Sequence, residues 1–181
     1  MRVIDSVVVH TAGAVHKGKV VHQSVETIRS FHKAPKEEGG KGWRDIGYHW
    51  YVEVSGKGKR GRDEATTGAH ARGFNSHSLA ICVSGHGDYE RWNQNQLNEV
   101  VRKCVEWCRM FGLSSSAVMG HHETDDHGGP TVYKSCPGKL IDLDAVRRMV
   151  ADALIAAEAP LTLEERVAEL ERKMAMLEPI G

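Results

Sequence analysis

The sequence predicts an α/β domain over residues 1–158, followed by a short amphipathic helix over 159–181. Three observations carry that reading. Short β-branched or aromatic runs at 3–10, 46–54 and 78–85 alternate with longer segments of helical period at 95–111 and 142–157. The run "SLAICVSG" (78–85) is almost continuously apolar, as in a strand covered on both faces. Pro160 then interrupts the helical pattern.

Each element follows from its own residues. "VIDSVVVH" (3–10) is β-branched and places His10 at the end of a first strand. Gly13 and Gly18 mark a loop. Ser24 can cap a helix over 25–34, whose inward face is Val25, Ile28 and either Phe31 or His32. "APKEEGGKG" (34–42) is a loop rich in breakers, and "IGYHWYVEV" (46–54) reads as a strand followed by the turn "SGKGKRG". Residues 63–76 show no period and read as an irregular connection. Leu97, Val100, Val101, Cys104, Trp107, Cys108 and Phe111 form a wide helical stripe, so Cys104 and Cys108 are expected in the core. "SAVMGHH" (116–122) is a short strand or loop running into His121, and the 142–157 helix turns Leu143, Val146, Met149, Val150 and Leu154 inward.

Beyond Pro160, Leu163, Val167, Leu170, Met174 and Leu177 follow a 4-3-4-3 spacing. That is a heptad seam of about two repeats. It serves either homo-oligomer assembly through residues 161–178 or a helix folded back on the domain.

Composition removes several classes of function. Twenty-four basic residues balance 24 acidic ones, so no excess of positive charge favours nucleic acid or an anionic membrane surface. No apolar run approaches the roughly 18–20 residues of a membrane span. The opening "MRVIDSVVVH" reads as a strand and not as a secretion signal, so storage in the cytoplasm is the expectation. Four cysteines in 181 residues do not make a disulfide scaffold. Histidine, the commonest metal ligand near neutral pH, stands out with 11 copies.

Cys136, in "YKSCPGKL", poses the chemical question. Taken alone it fits a buried apolar residue, half of a disulfide, a nucleophile or a metal ligand. Structural zinc sites show paired short spacings such as C-x2-C, and the chain has none. Ligands scattered along a chain and gathered by a sheet describe an open catalytic site with one position left for water.

The blocks "VVVHTA", "DIGYHWYVE", "GRDEATTGAHARGFNSHSLAICVSG", "GHHE" and "KSCPG" resemble, in order and approximate spacing, the zinc-dependent N-acetylmuramoyl-L-alanine amidases. That family includes short phage endolysins and is related to the peptidoglycan recognition proteins. The resemblance covers about residues 5–150. It implies a mixed central sheet flanked by helices, with the site in a surface groove. It also implies one Zn2+ per chain, held by His10, His121 and Cys136, with Tyr48 and Lys134 as catalytic residues. His70 and Asn75 fall in a block beside the groove and are expected to contact substrate. His122 stands next to His121 as an alternative ligand, and adjacent residues of an extended segment point opposite ways. His49 is expected to be structural, and His16, His22, His32, His77 and His86 to be surface or packing residues.

The activity implied is hydrolysis of the amide between N-acetylmuramic acid and L-alanine in bacterial peptidoglycan. Tyr48 and Lys134 are placed to stabilise the oxyanion and move protons. A phage or prophage endolysin would act on the wall after release from the host cytoplasm. The alternatives are a cytosolic wall-recycling amidase, a non-catalytic peptidoglycan-binding protein, a protein-binding regulator, and a zinc hydrolase cutting within the stem peptide. Fourteen residues separate His121 from Cys136, more than in compact family members, and "TDDHGGPTV" (124–132) reads as a loop insertion.

Overall fold

Alternation along the first strand decides where its histidine points. In β1 (Ser6–Thr11), Val7 and Val9 enter the larger core, so the period of two sends Ser6, Val8 and His10 to the opposite face. The computed structural model describes residues 2–124 and 135–158, together with residues 164, 167, 168 and 171. Residues 125–132 of the loop insertion lie outside the described residues, as do Leu163, Leu170, Met174 and Leu177 of the heptad seam. Its remaining member, Val167, is helical and 45% exposed.

β1 lies between two parallel neighbours, β6 (Ser78–Val83) and β7 (Val118–Gly120). β4 (Trp50–Val52) pairs in parallel with β6, and β5 (Gly58–Arg60) pairs antiparallel with β4. The sheet order is β5-β4-β6-β1-β7, the mixed sheet that the resemblance implies. Helices cover it on both sides. Val100, Cys104, Trp107 and Cys108 of α2 (Gln94–Phe111) and Val146 and Val150 of α3 (Leu143–Glu158) pack on Val7, Val9, Leu79, Ile81 and Val83. The other face carries a smaller cluster, in which Val25 and Ile28 of α1 (Val25–Lys33) meet Ile46, Tyr51 and Cys82. Each fully buried Val or Ile contributes about 1.5–3 kcal/mol. The α2/α3 side therefore supplies most of the apolar stabilisation, and the α1 side has room for polar groups.

Several expectations hold in detail. Ser24 caps α1 by accepting from Thr27 N–H, and His32, not Phe31, is the buried member of that face. Cys104 and Cys108 are buried in the core, as the helical stripe predicts. α2 starts with a reciprocal capping box between Asn93 and Gln96, a device worth about 1 kcal/mol, and ends at Gly112 in the left-handed conformation.

Other expectations change. The strand expected over 46–54 pairs in the sheet only at Trp50–Val52. Before it, the carbonyls of Gly47, Tyr48 and His49 accept from the loop N–H groups of Ala69, Arg62 and Gly61, while His49 N–H donates to the Ala80 carbonyl of β6 and Gly47 N–H to His32 Nδ1. The turn "SGKGKRG" contains β5. The Gly13–Gly18 loop contains a small hairpin, β2 (Val15–His16) with β3 (Lys19–Val20), turned by Lys17 and Gly18, both at positive φ. Among the described residues, no helix is long and apolar enough to cross a membrane.

Candidate metal centre

The register of the two parallel strands assembles half of the centre. Val9 stands opposite Gly120, so the next residues, His10 and His121, lie side by side with ring centroids 4.5 Å apart. His10 is 1% exposed. His121 opens a short 3-10 turn (His121–Glu123) fixed to α3: Glu123 accepts from Gly120 N–H and pairs with Arg147, whose Nε donates to the Val118 carbonyl.

Cys136 arrives from a distant loop. Its Sγ lies 3.8 Å from His10 Nδ1, and the donor atoms of His10, His121 and Cys136 all lie within 4.8 Å of one another. Among the described residues this is the one such group of three. His122 is directed elsewhere. Its backbone N–H donates to the Cys136 carbonyl, and its Nδ1 lies 3.0 Å from the same oxygen. Of the two adjacent histidines, the geometry brings His121 to the cluster.

The donor set fits zinc. Two neutral imidazoles and one thiolate match the His and Cys ligation zinc accepts, and three protein donors leave a fourth position for water or substrate. His10 has a second partner: its Nε2 lies 3.3 Å from His70 Nδ1, on the ring edge away from Cys136. Such a contact fixes ring orientation and tautomer in metal-ligating histidines. Burial pushes His70 well below the usual histidine range, so it is neutral near pH 7.

Asn75 organises the segment that carries His70. Its Oδ1 accepts from the backbone N–H groups of His70 (2.7 Å) and Ala71 (3.1 Å). Arg2, which no motif marks, fastens the same segment by donating to the carbonyls of Glu64, Thr66, Asn75, Ser76 and Ser78. A lone arginine at the start of an apolar strand was its only signal.

Tyr48 borders the centre with its ring centroid 5.2 Å from that of His10. His32 backs it at 5.7 Å, and Trp43 packs on His32 in turn. Burial, helped by the neighbouring Cys82 and Cys136 thiols, pushes the Tyr48 hydroxyl well above the usual phenol range, so it stays protonated at neutral pH. His49 is structural, as expected: Nδ1 accepts from Ala80 N–H, Nε2 donates to the Thr66 carbonyl, and burial lowers its pKa to about 4. Lys134 lies outside the described residues.

A cleft of about 290 Å³ opens beside the centre, lined by Thr11, Gly13, His86, Asp88, Ser135, Cys136 and Gly138. A larger hollow of about 640 Å³ lies between α2 and α3 on the other side of the sheet, where Val101, Val105 and Met149 meet Arg102 and Arg109. It holds none of the cluster residues.

Comparison with known proteins agrees with this architecture. The chain resembles the endolysin of Klebsiella phage KP32, with 38% identity over 118 residues covering 62% of this chain and 68% of that one. It resembles the endolysin of Escherichia phage T7 at 35% over 81 residues, 45% of this chain and 48% of the other, so the match spans about half of that relative. The fold is that of the N-acetylmuramoyl-L-alanine amidase LysC from Clostridium intestinale, with a TM-score of 0.63 at 19% identity, covering 80% of this chain and 83% of that one. The sequence profile described as N-acetylmuramoyl-L-alanine amidase matches residues 1–139. With its strands, His10 and His121 inside that span, the chain belongs to the N-acetylmuramoyl-L-alanine amidase family.

Proposed function

We propose that this protein is a zinc-dependent peptidoglycan amidase that hydrolyses the bond between N-acetylmuramic acid and L-alanine, and that it serves as a phage or prophage endolysin. The observation that carries the reading is the convergence of His10, His121 and Cys136 from three separate segments to within 4.8 Å, in a chain of this family. Bound at these three side chains, zinc supplies Lewis-acid polarisation and makes water a better nucleophile near neutral pH.

The chain's own residues supply the rest. His70 holds the far nitrogen of His10. The protonated Tyr48 hydroxyl is a donor for the oxyanion that forms as water adds to the lactyl carbonyl. Lys134, two residues before Cys136, is the second donor and the source of the proton that leaves with the L-alanine amine. The 290 Å³ cleft beside Cys136 receives part of the glycopeptide. His70 and Asn75 do not line it, and their contact with substrate rests on the family resemblance. Storage in the host cytoplasm and action on the wall after release complete the endolysin reading. The 161–178 seam adds self-association, which multivalent contact with the wall would convert into avidity; light scattering at micromolar concentration is expected to give an oligomer, and a monomer would refute it.

Mass spectrometry of purified peptidoglycan digested with and without a chelator tests the proposal. Stem peptides beginning with L-alanine are expected, lost on chelation and restored by zinc. Cleavage at another bond would replace the reaction. Bound but intact wall would favour a recognition protein.

A further inference from the structure

The loop carrying Cys136 is gripped by a residue that belongs to none of the motifs. Asp88 lies in the turn between β6 and α2, and its two carboxylate oxygens reach to either side of the cysteine. Ser135 Oγ donates to Asp88 Oδ2 at 2.6 Å, and the Lys139 backbone N–H donates to Oδ1 at 2.8 Å. The turn and the loop also meet backbone to backbone, with Leu140 N–H donating to the Gly87 carbonyl at 2.9 Å. Glycine permits that approach. A Cβ on Gly87 would collide with the Pro137 carbonyl oxygen, and one on Gly138, which sits at φ +124°, would collide with the Gly87 backbone. Thr11 Oγ1 donates to the Pro137 carbonyl at 3.0 Å, and His122 N–H to the Cys136 carbonyl at 2.8 Å. The cysteine loop is thus tied to the His10 strand, to the His121 turn and to the β6–α2 turn, and Asp88 makes two of the ties to the last.

We infer that Asp88 is a positioning residue for the metal centre, holding residues 135–139 so that the Cys136 sulfur stands beside His10 and His121 before the metal arrives. The inference rests on the zinc reading proposed above. The physical reason is preorganisation: a ligand loop that must be ordered on binding loses affinity, and loss of a supporting partner outside the ligand set typically costs about 10–100-fold in metal affinity. Asp88 acts through hydrogen bonds to the residues flanking the ligand.

Geometry and charge are separable here. Asp88→Ala removes both acceptors. Asp88→Asn keeps an oxygen for Lys139 N–H and offers an amide N–H to Ser135 Oγ, preserving the ties while losing the charge.

The test uses the full chain in three forms: wild type, Asp88→Ala and Asp88→Asn. Zinc affinity is read by chelator competition, and the thiolate-to-metal absorption of the cobalt-substituted protein is recorded in parallel. Asp88→Ala is expected to bind zinc about 10–100-fold more weakly, with a diminished cobalt–thiolate band. Asp88→Asn is expected to remain close to wild type in both, and the zinc-free melting temperature to change little in either. Should Asp88→Ala fail to fold, Ser135→Ala, which removes one of the two ties, is expected to lose a smaller part of the affinity. Wild-type affinity and an unchanged cobalt band in Asp88→Ala, or in Ser135→Ala where that variant replaces it, would overturn the inference. An Asp88→Asn variant as weak as Asp88→Ala would overturn it too, by making the charge the cause. A wild-type chain that binds no zinc would instead overturn the metal assignment on which the inference stands.

Discussion

Replacing Cys136 with alanine is expected to strip the protein of zinc and abolish turnover. Cys136 is the one anionic donor of the three, and its sulfur lies 3.8 Å from His10 Nδ1. Without it, two neutral imidazoles would face a divalent cation that they cannot neutralise. The loss of affinity should exceed the roughly 100-fold upper range typical of an outer partner. Zinc per chain, measured by elemental mass spectrometry after dialysis, should fall from about one to near zero, as four-coordinate sites with three protein ligands require.

A different chemistry shares part of this geometry, because a thiol beside an imidazole is also how a cysteine nucleophile is built. The two readings part on the metal. A nucleophilic Cys136 would work in the presence of a chelator, and Cys136→Ala would be inactive with its metal content unchanged. A zinc thiolate requires activity and metal to be lost together. A zinc-replete, active Cys136→Ala protein would refute both. The nearness of His121 to the same pair favours the metal, since a Cys–His couple has no use for a second imidazole within 4.8 Å.

How much of this was legible in the sequence depended on whether a residue's role is written locally or made by tertiary placement. His10 and His121 were marked as ligands by the resemblance of their blocks to the amidases. The residue pattern itself places each only at the end of a short β-branched or apolar run, and the parallel register brings them together. The long helices were readable to within a residue or two from their apolar stripes, as was the doubly covered 78–83 strand. The hairpin at 15–20 and the strand at 58–60 were not, because two- and three-residue polar strands carry no hydrophobic period. Asp88 left no signal, and Arg2 only its place before an apolar run, for another reason. Asp88 meets Ser135 across 47 positions, and Arg2 meets a backbone more than 60 residues away, so neither role exists until the chain has folded. His70 falls between these cases. Its block marked it as near the groove, but only the structure places its Nδ1 against His10.

Tyr48→Phe is expected to separate chemistry from metal binding. The substitution removes one oxygen and leaves a ring of the same shape between His10 and His32, so packing around the centre should survive. Zinc content should therefore match wild type. Turnover should fall about 10²–10³-fold, the usual cost of deleting one oxyanion donor, corresponding to about 2.7–4 kcal/mol in the barrier. The drop should appear in kcat with little change in KM, because the oxyanion exists only as the carbonyl becomes tetrahedral. The direction of the pKa shift supports a donor in this role: burial holds the phenol protonated through neutral and mildly alkaline pH. A hydroxyl that stays protonated can give a hydrogen bond to developing negative charge, but is a poor base for activating water. If Tyr48 were instead the base, the same substitution would leave a rate that recovers as pH rises and hydroxide takes over the task. A uniform loss across the pH profile is what an oxyanion donor predicts, and wild-type turnover in Tyr48→Phe would transfer the entire task to Lys134 and the metal.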